Sequence, residues 1–171
     1  DLPKMTDEQI YVRAKKHVGG LMQSVTYNEF LPALMGPNPL RPYRGYNPLV
    51  YPNVSNAFST AAYRFGHSML NETMLRMDNH GNPIEEGHLS LAEAFFNPAN
   101  LTHHGIDPYL KGLAMQTSQE IDTRIVNDVR NFLFGEPGSG GFDLAALNIQ
   151  RGRDHGLADF NSIRRFYRLP V

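Results

Sequence analysis

Helix-start signals recur along this chain, each followed by apolar residues at helical spacing, and no stretch alternates in the manner of a strand. Thr6-Asp7-Glu8-Gln9 is a capping box, in which the Thr6 hydroxyl and the Gln9 side chain each satisfy a backbone N–H that the first helical turn leaves unpaired. Behind it Ile10, Ala14, Val18, Leu21, Met22 and Val25 fall on one face of a 3.6-residue period, which predicts a long amphipathic helix to about Phe30. Leu31-Pro32 opens a further short turn that Gly36-Pro37 stops. Ser90-Leu91-Ala92-Glu93 is a second capping box, and Asn97-Pro98 ends the helix it opens. Asp107-Pro108 starts another, running to about Gln116. Thr117 to Glu120 is read as the cap of a longer helix with Ile121, Ile125, Val129, Phe132 and Leu133 inside and Gly135 as its stop. Asp143 caps a helix through Arg151, and Ala158 to Tyr167 forms the last. A mainly α fold follows, with at most a short hairpin where Asp78 to Pro83 turns the chain. Met35 to Pro52, with five prolines and three tyrosines, is an extended connection, and Gly135 to Gly141 reads as a flexible turn.

Composition narrows the chemistry. The 171 residues amount to one ordinary domain or a piece of a larger one, and no internal boundary is expected. A net charge of −1 gives no bulk electrostatic reason to expect nucleic acid or an anionic membrane as partner. No apolar run approaches the ~20 residues of a membrane-spanning helix. Without cysteine the chain has no disulfide, thiol nucleophile, zinc ribbon, iron–sulfur cluster or thiolate-ligated haem. The opening Asp1-Leu2-Pro3, with no initiator Met, points to processed or excised material. Asn53, Asn71 and Asn100 lie in Asn-x-Ser/Thr triplets that would accept glycans in a secreted protein.

Two stretches carry chemistry. Ser55 to Leu70 reads as one helix with Ser55 as its cap. A 3.6-residue period places Thr60, Arg64, His67, Leu70, Asn71 and Met74 along one stripe. A guanidinium one turn before an imidazole suits a metal bound near an anion, and Gly66 removes a side chain beside His67, letting a flat, bulky group approach the backbone. The second stretch, Leu147-Asn148-Ile149-Gln150-Arg151-Gly152-Arg153-Asp154-His155-Gly156-Leu157, sets dense polarity between apolar ends. Asn148 and Arg151, three residues apart, share a helix face. The remaining histidines, His17, His80, His88, His103 and His104, show no chelating arrangement, and His155 is read as fixing its loop.

Together, Tyr63-Arg64-Phe65-Gly66-His67 and, some eighty residues on, the Asn148 to Gly156 run resemble the animal haem peroxidase superfamily, with Thr26 to Pro32 and Gly105-Ile106-Asp107-Pro108 as supporting matches. The superfamily includes myeloperoxidase, peroxidasin and peroxinectin, with cyclooxygenases and fatty-acid dioxygenases as remoter relatives. The resemblance implies a multi-helical haem peroxidase domain, present here in part. It also implies haem b with its iron as cofactor and His67 as the proximal ligand. Arg64 would contact a haem propionate, Asn148 would accept a hydrogen bond from the other imidazole nitrogen, and Arg151 would be a further arginine on the proximal side. Such a partner on the second ring nitrogen is what holds a metal-bound imidazole in place.

The resemblance also has a gap. The family's distal Gly-Gln-Phe-x-x-His-Asp motif and distal arginine do not occur in this chain, nor do its calcium loop or the carboxylates that form ester links to haem. No catalytic residue is therefore assigned, and the chain is expected to be the proximal part of a longer peroxidase domain and incompetent alone. The parent would use hydrogen peroxide to oxidise halide, phenol or tyrosyl donors, outside the cell, with the remainder of the domain as the chain's partner. The alternatives are a non-catalytic haem-binding or adhesion module and, more remotely, a fatty-acid dioxygenase, for which Tyr63 would be the radical-forming tyrosine.

Overall fold

A computed structural model describes residues 4–137 and 139–171. The chain divides into two compact units, one up to Tyr51 and the other from Pro52.

In the first unit, α1 (Asp7–Val25) begins as its sequence dictates. Thr6 Oγ1 accepts from Gln9 N at 3.3 Å, and Gln9 Oε1 accepts from Thr6 N at 2.9 Å. None of its residues is buried, so the apolar face that the periodicity picks out, Val18, Leu21 and Met22 included, is uncovered. The helix then widens into a π-helical turn (Thr26–Phe30) before α2 (Leu31–Met35). Pro32 gives a reason: it has no N–H to offer the Asn28 carbonyl, and its ring would collide with that carbonyl in a regular helix. Gly36, at φ +87°, ends α2, and the proline-rich segment beyond it is non-helical, as expected.

The second unit starts with α3 (Asn56–Thr60), capped by Ser55, whose Oγ accepts from Phe58 N at 3.1 Å. Here the reading of one continuous α-helix fails. Ala61 breaks it at φ −127°, ψ −66°, and Ala62–Met69 follows as a 3₁₀ helix. Asn71 and Met74 lie beyond its end, Met74 in a strand. Alanine-rich sequence favours an α-helix, but long-range hydrogen bonds at Asn56, Thr60, Arg64 and Ser68 fix this segment at four points. Tertiary structure overrides local preference.

The hairpin forms where expected. β1 (Thr73–Met74) and β2 (Leu89–Ser90) pair antiparallel, and Asp78 N donates to Asn82 O at 2.8 Å in the turn. Buried Arg76, two residues beyond β1, ties that segment to the loop before β2, donating to the Gly87 carbonyl at 2.8 Å and the Glu86 carbonyl at 2.9 Å. Next come α4 (Leu91–Ala94), with its Ser90–Glu93 capping box intact, and α5 (Ala99–His104), which no sequence signal had marked. α6 (Asp107–Met115) lies so close to the hairpin that a Cβ on Gly112 would stand 1.9 Å from the Leu75 carbonyl oxygen. Glycine is required there.

The long helix read over Thr117 to Gly135 is a second correction. Only α7 (Asn127–Arg130) forms. The backbone of the preceding segment is taken up elsewhere: Gln119 N donates to Met69 O, Asn71 Nδ2 to Thr117 O and Asp122 N to Ser68 Oγ. Residues from this stretch nonetheless supply the core, since Val129 and Leu133 are buried with Met77, Leu89 and Tyr109. The glycine-rich turn after it is closed by hydrogen bonds: Glu136–Pro137 (β3) pairs with Gly140–Gly141 (β4), and Phe142 N donates to Leu133 O at 3.0 Å. α8 (Leu144–Asp154), capped by Asp143, and α9 (Phe160–Phe166), capped by Asp159, complete a mainly α fold with two small strand pairs.

Candidate functional site

The 3₁₀ segment changes which residues share a face. With three residues per turn, positions i and i+3 eclipse, so Arg64 and His67 stand in one row. Both are half-buried. Two things hold the His67 ring below the ordinary histidine value: partial burial, and then the neighbouring Arg64 guanidinium. Both favour the neutral imidazole, the form with a lone pair to give to a metal. Among the described residues the ring makes no hydrogen bond, and a Cβ built on the adjacent Gly66 would meet nothing within 4 Å.

The second stretch comes to meet the first. Arg64 Nη1 donates to Asn148 Oδ1 at 3.0 Å, across 84 residues of sequence. Asn148 sits on α8 and also donates from Nδ2 to the Leu144 carbonyl one turn back, which fixes the orientation of its amide. The resemblance had placed that oxygen against the His67 ring. Here it accepts from Arg64, as a charge-assisted bond to a nearby cation allows. Arg151, one turn further along α8, is exposed, and among the described residues its side chain makes no hydrogen bond. Tyr63 is exposed and its ring lies 5.4 Å from that of Phe58.

A second tie, which the sequence reading missed, joins the two stretches. Asn56 and Thr60 on α3 both reach His155 at the end of α8. Ninety-nine residues separate Asn56 from His155, and no spacing rule connects them. The one available signal was His155's place inside the polar run.

The other histidines form no centre. His104 Nδ1 lies 3.4 Å from Glu86 Oε1, and no group of three or more His, Cys, Asp or Glu among the described residues is arranged to hold a metal ion. No helix among them is long and apolar enough to cross a membrane.

Comparison with known proteins decides the family. The family model for animal haem peroxidase matches residues 2–171. The chain belongs to the animal haem peroxidases. It is 39% identical to peroxinectin A of Dictyostelium discoideum over 95% of its own length and 30% of that protein's. It is 42% identical to eosinophil peroxidase of Mus musculus over 96% of its own length and 24% of the relative's. Peroxidase A from Dictyostelium discoideum, a solved structure 39% identical in sequence, superposes with a TM-score of 0.89 over 99% of this chain and 32% of its own. The chain thus spans about a third or less of these relatives. Haem is the cofactor the family implies.

Proposed function

We propose that this chain forms the proximal side of the haem pocket of a peroxidase that uses hydrogen peroxide. His67 is the iron ligand. Arg64 faces a propionate, Arg151 is a further arginine on the proximal side, and Asn148 orients the site. The observation that carries this reading is the row Arg64–His67 tied to Asn148: a half-buried imidazole kept neutral, with a guanidinium one turn away. The open space beside Gly66 fits the approach of a flat macrocycle. Arg64 uses one of its five N–H donors on Asn148, leaving others for a carboxylate, and the Asn148 oxygen keeps a second lone pair for the imidazole N–H.

In this reading the chain's own residues bind and orient. Burial and Arg64 keep the His67 proton off the nitrogen that faces the metal. The amide of Asn148 holds geometry without pulling the second imidazole proton, as a carboxylate would. Haem held there would supply the two-electron chemistry with hydrogen peroxide and the oxidation of halide, phenol or tyrosyl donors. The base and cation needed for peroxide cleavage are assigned to polypeptide outside this chain, so the chain alone turns over no faster than free hemin. Both compact units are taken as parts of that one domain. The uncovered apolar residues of α1 support a surface that packs on the rest of it. An extracellular location is proposed with it, consistent with the glycan-acceptor triplets at Asn53, Asn71 and Asn100.

The test is to add hemin to the chain and to His67→Ala and compare their Soret bands and guaiacol turnover. A histidine-dependent Soret shift, with turnover near that of free hemin in both, is the expected result. Identical spectra in the two proteins would remove His67 as ligand, and turnover well above hemin that depends on His67 would place a distal group within this chain.

A further inference from the structure

His155 is exposed, yet its ring and main chain are held at two points by one side chain. Asn56 Nδ2 donates to the His155 carbonyl at 3.0 Å, and Asn56 Oδ1 lies 2.9 Å from His155 Nδ1. The first contact settles the second. A main-chain carbonyl only accepts, so the amide must present its NH₂ there and its oxygen to the ring. An amide oxygen also only accepts, so His155 Nδ1 carries the proton. The buried Thr60 hydroxyl completes the cluster, donating to Asn56 Oδ1 at 3.2 Å and lying 3.3 Å from His155 Nδ1.

This cluster sits where register matters. Asn56 and Thr60 bracket α3, the helix that leads through the break at Ala61 into the row bearing Arg64 and His67. His155 is the residue that ends α8, which bears Asn148 and Arg151. One tie between the segments, Arg64 to Asn148, is a single hydrogen bond that leaves the segments free to pivot about it. A second tie on the far side of the Ala61 break removes that freedom. We infer that His155, in its Nδ1–H tautomer and acting through Asn56, is a positioning residue that sets the Arg64–His67 row in register with Asn148 on α8. The clamp needs only the Nδ1 proton, which protonation at Nε2 leaves in place, so it holds in both charge states of the ring. The inference deepens the haem reading above and rests on it for its functional sense, though the clamp itself is testable without haem.

Two substitutions separate this from a generic packing role. Asparagine places an N–H where Nδ1–H stands, whereas glutamine places one near Nε2. In the full chain, ¹⁵N NMR of the His155 ring should report the Nδ1–H tautomer; an Nε2–H neutral ring would overturn the proposal with no variant needed. The Arg64 and Asn148 side-chain resonances should shift or broaden in His155→Gln and return to their original positions in His155→Asn. If His155→Gln lowers thermal stability but leaves those resonances unmoved, His155 is merely structural and the proposal falls. With hemin added, His155→Gln should broaden or shift the His67-dependent Soret band while His155→Asn restores it. Absence of any His67-dependent band would sink the haem reading and leave the clamp to be judged by the NMR alone.

Discussion

Arg64 donates to Asn148 at 3.0 Å, joining a 3₁₀ helix to α8 across 84 residues. The pair is half-buried, so a charge-assisted bond here contributes about 1 kcal/mol, below the 1.5–3 of a fully desolvated one. A double-mutant cycle with Arg64→Leu and Asn148→Ala, followed by urea unfolding, should give a coupling of that size. Strict additivity of the two single changes would mean that the contact contributes nothing to stability.

Two glycines should respond in opposite directions. Gly112→Ala puts a methyl 1.9 Å from the Leu75 carbonyl oxygen, and backbone on both sides leaves no flexible group to yield. The expected cost is about 1–3 kcal/mol or more. Gly20 lies inside α1 with nothing within 4 Å of its added Cβ, so Gly20→Ala should stabilise that helix by about 0.5–1 kcal/mol through backbone entropy and helix propensity. Thermal melts followed by circular dichroism check both. A neutral Gly112→Ala would show that α6 does not approach the hairpin so closely.

These contrasts indicate what the sequence could and could not reveal. Thr6, Ser90 and Asp143 act within three residues of themselves, and each caps its helix as read. Thr117 to Glu120 has the same local look, but its neighbours are claimed by Met69, Asn71 and Ser68, groups some fifty residues away, and the helix does not form. The site shows the same division. Arg64 and His67 share a face under either helical period because three residues separate them, whereas Thr60 shares it only under the 3.6 period that Ala61 interrupts. The resemblance implies that Arg64, His67 and Asn148 serve one haem, but not which donor the Asn148 oxygen takes, because an amide oxygen offered to a cation and an imidazole is not assigned by spacing. Asn56 and His155, 99 residues apart, left no periodic trace at all.

Val129 is 1% exposed and belongs to the part of the chain whose predicted helix was mostly replaced by irregular backbone. It sits on α7, which packs against α4 where Ala92 N donates to Asp128 Oδ2 at 2.8 Å, and it is the most deeply buried of the core residues described. Val129→Ala should destabilise by about 2 kcal/mol, between the usual costs of Ile→Val and Leu→Ala. Val18→Ala, at 55% exposure on α1, should change stability by less than about 0.5 kcal/mol. Equal effects from the two would contradict the burial pattern.

Asp159 should make α9 sensitive to acid. The Ser162 hydroxyl donates to Asp159 Oδ2 at 2.5 Å and Ser162 N to Oδ1 at 3.0 Å. These bonds, the hydroxyl's foremost, hold the carboxyl below the ordinary aspartate value of 3.8. The sign follows from proton binding. Between the folded and unfolded values the unfolded chain binds more protons, so stability falls as pH falls. The contribution of Asp159 is complete above the ordinary value and disappears as pH drops through the lower, folded one. Asp78 is depressed too, by the Asn82 backbone N–H first, so a global melt would mix the two groups. Amide exchange at Ile163 and Tyr167, whose N–H groups close the turns of α9 onto Asp159 and Ile163 at 3.1 Å, isolates the first. Protection there should decline below about pH 4 in the native chain. In Asp159→Asn, which keeps a good N-cap without a titrating proton, it should stay flat. The same acid-dependent loss in both proteins would assign the sensitivity to some group other than Asp159.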